Sequence, residues 1–550
     1  GGEFGSIVKD LDSVSGRFCF AFPDVYTIGM SNYGLQLLYN IMNNHKAWSC
    51  ERVFAPYPDM EAMLRAEGLP LYSLETFTPL HKFDVLGFSL QYEMSFTNVL
   101  TILNLGEIPL HCEERTMDFP LIVAGGPSAA NPEPMSDFID LFMIGDGEEL
   151  LPAVCDMWLK LKTEQKDISR REALLEMGRC FKNVVVPLFY SSRIRDDGLS
   201  DCPRPTESGL PEIIYPAIIN DINQYEPPIN RIVPLVECVH DRVSIEVMRG
   251  CPGRCRFCVS TVQKRPIRFR DLDSIVRIAR DSVLATGSDE VSLLSLSTSD
   301  YPQLELLLSR LREVLSPLGV SVSVPSLRVN SQLSLMMSNL TTERTTGLTV
   351  APEAAQDSMR RRIGKPVTNE NLLSGCESAF SNGFNRVKMY FLCGLPEEVE
   401  SDVDGIIDLS LEVMRLGKRV RGRAPVITTN VSNFVPKPHS DWERVGMRTR
   451  DYFSNVHRQL LNRARRTGIS LKYHTLETSL LEGLLCRSDR RVGKVIERAW
   501  RLGARLDAWT DYFRYEYWQQ AINESGLNTE LIVGKTIPDN TELAWEYVRY

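Results

Sequence analysis

The chain has 550 residues, of which 43% are hydrophobic and 24% charged, and its formal net charge is −9. This length is too great for one hydrophobic core, so we expect roughly three or four domains, and the acidic balance argues against a general nucleic-acid binder. No apolar run reaches about 18 residues and no signal peptide is recognisable, so we expect a cytoplasmic protein without a membrane segment. Residues 1–6 are typical of an expression-vector remnant and are left out of the fold prediction.

Residues 7–160 alternate short apolar runs with helical patterns. Helices are expected at 35–43 and 97–105, and strands at 17–22, 83–90, 121–124 and 141–144. Strict alternation predicts a parallel sheet covered on both faces, which is a Rossmann-like (flavodoxin-like) α/β domain. Ligands of such sheets bind where the strands end, and the residues at those ends include Asp24, Gly125, Gly126 and Ser128.

Residues 161–240 form the next segment and are predicted to be a connector. A charged helical pattern at the start gives way to a stretch with seven prolines between positions 203 and 234. Proline fixes the backbone and removes a hydrogen-bond donor, so this stretch is expected to run extended between two domains.

Residues 241–440 repeat a strand and a helix about six times. Strands are expected at 243–247, 290–295, 320–324, 347–351, 386–391 and 426–430. Six such units predict a partial (β/α)6 barrel of the TIM type, with its active site at the C-terminal mouth of the strands. Residues 441–550 are predicted to form a basic, mainly helical region.

Three cysteines follow the first predicted strand of this barrel in the spacing C-x3-C-x2-C. Cys251, Cys255 and Cys258 lie on a short Gly/Pro loop that can turn their thiols to one side. Three ligands are one short of a closed site, which indicates an iron–sulfur cluster with one open iron. The alternative is a set of buried or zinc-binding thiols. The other ten cysteines are scattered singly, which fits a reducing compartment rather than a disulfide framework.

The loop from Arg249 to Cys258, with Phe257 just before its third cysteine, resembles the signature of the radical S-adenosylmethionine (SAM) enzymes. The resemblance implies that the three cysteines hold a [4Fe-4S] cluster whose open iron is chelated by SAM. A flavodoxin- or ferredoxin-type donor would reduce the cluster. SAM would then be cleaved to methionine and a 5′-deoxyadenosyl radical that abstracts hydrogen from a substrate.

The same resemblance extends along the barrel to residues that would contact SAM. The usual Gly-Gly-Glu is absent after the second strand, where Ser295 and Ser297 stand instead. After the third strand, the resemblance implies that Ser326 and Arg328 contact the ribose or carboxylate of SAM. It also implies that Glu353 on the fourth strand contacts SAM and that Gly394, after the fifth strand, lies beside the adenine.

The arrangement of strand-end loops in residues 7–160 resembles the cobalamin-binding domain that precedes many radical SAM cores. The usual Asp-x-His-x-x-Gly motif is incomplete, because no histidine occurs between Asp24 and Gly34. Two interpretations stay open: cobalamin binds without a protein nitrogen ligand, or the domain keeps the fold without the cofactor. The chain from Arg17 to Tyr550 resembles a largely uncharacterised branch of these proteins.

His439 is a candidate catalytic residue, because the prolines before it fix its position after the last barrel strand. A hydrogen-bonded surface histidine is the alternative.

Residues 441–514 carry 16 Lys or Arg against 9 Asp or Glu, a local excess of +7 that leaves −16 for the rest of the chain. Aromatic residues are interleaved with these bases, a combination typical of proteins that bind single-stranded RNA. The alternative is a solvated helical face above core aromatics. The densest basic groups are Arg463, Arg465, Arg466, Arg490 and Arg491.

The function predicted from these features is a radical SAM enzyme that modifies an unactivated carbon on RNA or on an RNA-bound or other protein. One alternative is a methylthiotransferase, which would need a second cluster from Cys19, Cys50 and Cys112. The other is a non-catalytic iron–sulfur scaffold or sensor, which would have no use for the SAM-contacting loops.

Overall fold

The structure, a computed structural model, describes residues 2–165, 167–325 and 347–550. Its N-terminal sheet confirms the predicted α/β domain with parallel strands. Only the last strand runs antiparallel within this sheet. In spatial order the strands are Trp48–Phe54, Gly16–Phe22, Val85–Ser89, Leu121–Gly125, Leu141–Met143 and Val184–Val185.

One strand of this sheet, Trp48–Phe54, was not predicted, although all seven of its residues are buried. Its sequence reads as polar because it contains Glu51 and Arg52. Both charges are paired inside the fold: Arg52 Nε lies 2.7 Å from Glu75 Oε1, and Glu51 Oε1 lies 3.1 Å from Arg17 Nη2. Pairing lets an edge strand bury charges that apolar patterning alone would exclude.

The helices of this region cover both faces of the sheet. Asn32 caps the first of them by accepting a hydrogen bond from the amide of Leu35. The helices are Tyr33–Asn44, Pro58–Glu67, Phe96–Leu105, Gly147–Glu164 and Arg170–Cys180.

Residues 241–440, which we call the barrel because a partial barrel was predicted there, have strands at all six predicted positions, and among the described residues these strands form two separate parallel sheets. A seventh strand, from the region predicted to be mainly helical, pairs with Val426–Asn433 and carries the second sheet past residue 440. The first sheet is Val243–Glu246, Glu290–Leu294 and Ser321–Ser323, and the second is Leu348–Glu353, Arg386–Cys393, Val426–Asn433 and Ser470–Tyr473.

Helices follow the barrel strands in the order expected of β/α units. Those within the barrel are Leu272–Thr286, Leu304–Leu315, Asp357–Arg362, Asn369–Ser381 and Glu400–Arg421. Those after it are Arg450–Ala464, Leu476–Arg487, Val492–Leu502 and Tyr515–Ser525. None of the helices in the described ranges combines the length and apolar character needed to cross a bilayer.

Three short antiparallel pairs among the described residues lie outside these sheets, and the first of them joins distant parts of the chain. They are Glu3–Phe4 with Val233–Pro234, Tyr190–Ser191 with Arg204–Pro205, and Met248–Arg249 with Arg268–Phe269.

The C-terminal helices pack back onto the N-terminal domain. Helix Phe96–Leu105 buries nearly all its residues, because the sheet covers one side and helix Val492–Leu502 the other. Trp500 Nε1 donates to Thr101 Oγ1 at 3.0 Å. The end of the chain is therefore part of the same packed unit as its beginning.

Candidate functional site

The three-cysteine loop begins where strand Val243–Glu246 ends, at the mouth of the barrel. Gly250 has a φ of +97°, and a Cβ there would lie 2.7 Å from the carbonyl oxygen of Lys264. Only glycine fits this close approach, so the turn that presents the cysteines depends on it.

The thiols lie on a compact loop in which Cys251 is buried and Cys255 and Cys258 are half-buried. The Gly253 amide donates to Cys251 Sγ at 3.4 Å, and the Thr261 hydroxyl donates to the Cys258 carbonyl at 2.8 Å. Burial raises the pKa of the Cys258 thiol, and the amides of Thr261 and Ser260 oppose that rise.

This donor set suits an iron–sulfur cluster, because three thiols share one loop and a backbone amide already bonds to sulfur. Among the described residues, no three His, Cys, Asp or Glu side chains converge closely enough to hold one metal ion. A [4Fe-4S] cluster does not need such convergence, since each thiolate binds a different iron.

Phe257 anchors the loop onto the barrel mouth. Its ring packs against a small apolar cluster made of Ala354, Met359, Ile363, Leu395, Phe434 and Trp442. At the preceding residue, the amide of Arg256 donates to the Ile363 carbonyl at 2.9 Å, and the Arg256 carbonyl accepts from the Trp442 amide at 3.1 Å. The loop is thus clamped between two other segments of the mouth.

Glu353 closes the fourth barrel strand with a φ of +66°, next to an irregularity in strand pairing. Its carboxylate accepts from Lys365 Nζ at 2.9 Å, and both side chains are largely buried. Burial is the main cause of the raised pKa of Cys258, and the Glu353 carboxylate adds to it. The Glu353–Lys365 ion pair therefore lies within electrostatic range of the cysteine loop.

Gly394 ends the fifth barrel strand with a φ of +81°. Its amide donates to Glu398 at 2.6 Å, and the same carboxylate oxygen accepts from the Tyr452 hydroxyl at 2.5 Å. A Cβ at Gly394 would lie 2.5 Å from the Phe453 ring, so a side chain there would displace that ring.

Ser295 and Ser297 follow the second barrel strand and bond mainly to their own turn. The Ser297 hydroxyl donates to Asp300 at 2.6 Å, and Ser295 Oγ lies 2.7 Å from Thr298 Oγ1. Ser297 is fully buried and Ser295 half-buried, which leaves Ser295 as the more accessible of the two. The predicted SAM contacts Ser326 and Arg328 lie outside the described residues.

The strand-end loops of the N-terminal domain face the cysteine loop. Gln263, on the short helix that follows Cys258, donates to the Pro127 carbonyl at 3.1 Å. A Cβ at Gly126 would lie 2.6 Å from the Leu90 carbonyl oxygen, whereas one at Gly125 would be 3.6 Å from its nearest neighbour. The Ser128 amide also donates to the Leu90 carbonyl. Gly126 and Ser128 thus stabilise the conformation of their own loop.

The Asp24 carboxylate forms hydrogen bonds to other residues of the protein. Its carboxylate accepts from Trp509 Nε1 at 2.8 Å and from the Val25 amide at 2.7 Å, and burial raises its pKa. A histidine that the linear motif does not include also reaches this loop, because the His240 amide donates to Ser31 Oγ at 3.0 Å. The two interpretations on cobalamin therefore both remain open.

An ion-pair network that was not predicted from the sequence joins the N-terminal sheet to the first sheet of the barrel. Arg249, the first residue of the cysteine loop, contacts three carboxylates at 2.6–3.0 Å: Asp146, Glu148 and Glu246. Burial alone would raise the pKa of Asp146, but Arg249 and Arg268 hold it below its usual value. The sequence feature that could have indicated this network is the Gly-Asp-Gly-Glu run at 145–148, which contains two of the three carboxylates.

A second buried network centres on Lys437, between the N-terminal domain, the barrel and helix Leu476–Arg487. Its Nζ lies 2.8 Å from both Glu93 and Glu482, and the Tyr92 hydroxyl donates to Glu482 at 2.7 Å. Burial opposes the charge of Lys437, but Glu482 and Glu93 raise its pKa well above the usual value.

His439 has a structural partner in the N-terminal domain. Its Nε2 lies 2.9 Å from the Ala130 carbonyl oxygen, and its ring packs edge-on against Tyr550. Burial lowers its pKa, so the neutral imidazole is favoured. A catalytic role for His439 stays a prediction.

The basic groups of residues 441–514 do not gather on one unpaired face. Arg463 pairs with Asp408 at 2.6 Å, Arg490 with Glu133 at 3.5 Å, and Arg491 with Asp489 at 2.7 Å. Among the interleaved aromatics, Trp442, Trp500 and Phe453 are buried, while Tyr473 is 41% exposed. RNA binding by this region stays a prediction.

The cysteines considered for a second cluster lie in the N-terminal fold. Cys19 and Cys50 are fully buried, and burial raises their thiol pKa well above the usual value. Cys112 is half-buried, and burial raises its pKa to about 12. Burial raises the pKa of Cys258 as well, so these shifts do not decide against a second cluster, and the methylthiotransferase alternative stays a prediction.

Comparisons with known proteins match both halves of the chain to one group. A family model described as radical SAM proteins, N-terminal, matches residues 34–187, and a radical SAM superfamily model matches residues 245–410. An uncharacterised protein of Methanocaldococcus jannaschii is 26% identical over 433 residues, which span 78% of this chain and 83% of that protein.

Two solved structures are similar in fold. One is the cobalamin-dependent S-adenosylmethionine radical enzyme OxsB with aqua-cobalamin bound, with 12% identity and a TM-score of 0.51 over 88% of this chain. This chain spans 66% of the OxsB chain. The other, HemN of Escherichia coli, a coproporphyrinogen III oxidase and radical SAM enzyme, has 13% identity and a TM-score of 0.30 over 41% of this chain and 52% of its own.

The two family matches fall on the domain with the N-terminal parallel sheet and on the barrel with the three-cysteine loop, and together they cover more than half of the chain. The chain therefore belongs to the radical SAM superfamily of enzymes, and its fold is similar to that of a cobalamin-dependent member.

Proposed function

We propose that the protein binds a [4Fe-4S] cluster through Cys251, Cys255 and Cys258 and cleaves SAM reductively to modify a substrate held at the barrel mouth. The observation that supports this most directly is the position of the three thiols, on one loop at the C-terminal end of the first barrel strand. When bound and reduced by a flavodoxin- or ferredoxin-type donor, the cluster supplies the electron that cleaves SAM.

SAM would lie across the ends of neighbouring barrel strands. Ser295, Glu353 and Gly394 end or directly follow the second, fourth and fifth strands. The Lys365–Glu353 pair is already formed and largely buried. It can therefore orient a charged group of the ligand with little reorganisation of side chains or solvent. Phe257 and its apolar cluster keep this side of the mouth dry.

Cobalamin is a further candidate cofactor, and the fold similarity to OxsB supports a site between the two αβ regions. At the N-terminal strand ends, a Cβ at Gly125 would make only ordinary van der Waals contacts with Met143, the nearest at 3.6 Å. His240 is the histidine that the fold brings to the loop at 24–31.

The substrate class remains a proposal based on charge: an RNA or an RNA-bound protein, drawn to residues 441–514. Within the described ranges no carboxylate pairs with Arg465 or Arg466, which makes these two better candidates for phosphate contacts than Arg463, Arg490 and Arg491.

Anaerobic reconstitution with iron and sulfide tests the central proposal. We expect about four irons per chain and formation of 5′-deoxyadenosine from SAM under a low-potential reductant. Cys258→Ala should lose SAM cleavage, whereas Cys180→Ser, at an exposed and isolated cysteine, should keep both iron and cleavage. Full cleavage by Cys258→Ala would refute the proposal.

A further inference from the structure

A buried arginine in the connector, Arg231, forms no ion pair with any carboxylate of the described residues. Arg231 is only 7% exposed, yet its Nε and Nη2 have no hydrogen-bond partner in the part of the chain that the structure describes. Burial lowers its pKa to about 10, so the guanidinium is still charged at neutral pH. A buried, unpaired charge is among the most unfavourable arrangements in a protein interior.

Two further donors near Arg231 are also unsatisfied. Arg270 is 1% exposed and its Nη1 is unpartnered within the described ranges, as is the buried hydroxyl of Tyr33. The other nitrogens of Arg270 donate to the carbonyls of Glu246 and Tyr225, at 2.9 and 3.2 Å, so its guanidinium is held in place. Tyr33 lies within electrostatic range of both arginines.

The carboxylate in this neighbourhood is already in use. Glu246 accepts two hydrogen bonds from Arg249, at 2.8 and 2.9 Å, in a bidentate pair. Arg249 is also paired with Asp146 and Glu148, and in the described ranges no carboxylate forms an ion pair with Arg231 or Arg270.

We infer that Arg231, Arg270 and Tyr33 form an internal binding site for a phosphate-class oxyanion, at the junction of the N-terminal domain, the connector and the barrel. Two guanidinium groups and a hydroxyl donor are groups that proteins use for phosphate. The oxyanion is either free inorganic phosphate or the phosphate group of a larger ligand. None of the three residues belongs to the cysteine loop, so the site needs no cluster.

The first experiment titrates the full chain with inorganic phosphate at constant ionic strength. We expect a saturable rise in the thermal midpoint and broadening of the phosphate 31P resonance by the protein. Arg231→Met should weaken phosphate binding about tenfold or more, because a charged hydrogen-bonding group is lost. Arg310→Met, at an exposed arginine with only a long 3.5 Å contact to Asp273, should bind like the parent.

Tyr33→Phe gives a milder second variant, which removes one donor and keeps the ring, and we expect it to weaken binding severalfold. A second measurement distinguishes the free ion from a larger ligand. The protein is purified without phosphate buffers and denatured, and the phosphate that it releases is measured. Inorganic phosphate near one per chain indicates the free ion, and phosphate detected only after phosphatase digestion indicates a larger ligand. Absence of both, together with no 31P broadening in the parent protein, would overturn the inference.

Discussion

Arg249 Nη1 lies 3.0 Å from Asp146 Oδ1, and this contact ties the first residue of the cysteine loop to the edge of the N-terminal sheet. Asp146 also accepts from Arg268 at 2.5 Å and from the Ile219 amide at 3.0 Å. The N-terminal domain therefore holds the cysteine loop in place through a charged junction.

Arg249→Met should destabilise the protein and loosen the cysteine loop. Removing the cation leaves Asp146, Glu148 and Glu246 buried close together, a loss that for such pairs is about 3–5 kcal/mol. Urea unfolding and iron content after reconstitution measure the two effects. Arg204→Gln, which breaks an exposed pair with Glu542, should cost less than about 1 kcal/mol. Equal losses in the two variants would contradict this account.

The strands and the cysteine loop could be predicted from sequence because both are local patterns. The strand predicted at 426–430 is Val426–Asn433, and its alternating burial is the period-two pattern of a half-covered sheet. Ser470–Tyr473 was missed because it has only four residues, three of them exposed, and pairs only at the sheet edge. Two alternations of polar and apolar residues are too few to predict a strand.

The contacts around the site could not be predicted, because they join residues far apart in the chain. Gln263 meets Pro127 across 136 positions, and Lys437 meets Glu93 across 344. Asp24 was predicted as a ligand contact, yet its carboxylate bonds to Trp509, 485 positions away. A single sequence shows the residue type that can bond but not the partner that the fold supplies.

Lys437→Met should destabilise the protein most at neutral and higher pH. The change leaves the buried carboxylates of Glu93 and Glu482 without their cation. Burial raises the pKa of Glu482 and Lys437 lowers it, so without Lys437 the pKa of Glu482 in the folded state rises and its protonation becomes favourable on folding. We expect a loss of about 3 kcal/mol or more at pH 7.5 that shrinks as the pH falls. Urea unfolding at pH 7.5 and 5.5 measures it.

The double variant Lys437→Met/Glu482→Gln provides the control for this network. Removing one of the two carboxylate charges should recover part of the lost stability at pH 7.5. If the double variant were less stable than Lys437→Met at every pH, charge would not be the cause.

Hydroxocobalamin titration tests the site between the two αβ regions. We expect micromolar binding, seen as a change in corrin absorbance, and no effect of His240→Ala on the spectrum if no protein nitrogen binds cobalt. Gly125→Val should weaken binding about tenfold, because its side chain would project from the strand end at which cobalamin is proposed to bind, while its Cβ, 3.6 Å from the nearest atom, would fit without a clash. An absence of binding at micromolar concentrations would show that the domain keeps the fold without this cofactor.

Asp507 should make the packing of the C-terminal region on the N-terminal domain sensitive to pH. Its carboxylate accepts from Thr97 Oγ1 at 2.6 Å and from Trp518 Nε1 at 3.0 Å, and burial raises its pKa to about 6. The folded state therefore binds a proton more tightly than the unfolded state. The stability from this group is complete below about pH 4 and is lost as the pH rises through 6, by about 3 kcal/mol.

Asp507→Asn cannot ionise, so its stability relative to the parent should increase as the pH rises from 4 to 7. The difference between the two thermal midpoints, measured at each pH, isolates this group because all other titrating residues are shared. Asp511→Asn, at an exposed carboxylate four residues away, should show no such trend. A parent–variant difference at position 507 that stays constant across this range would mean that Asp507 remains ionised in the folded protein.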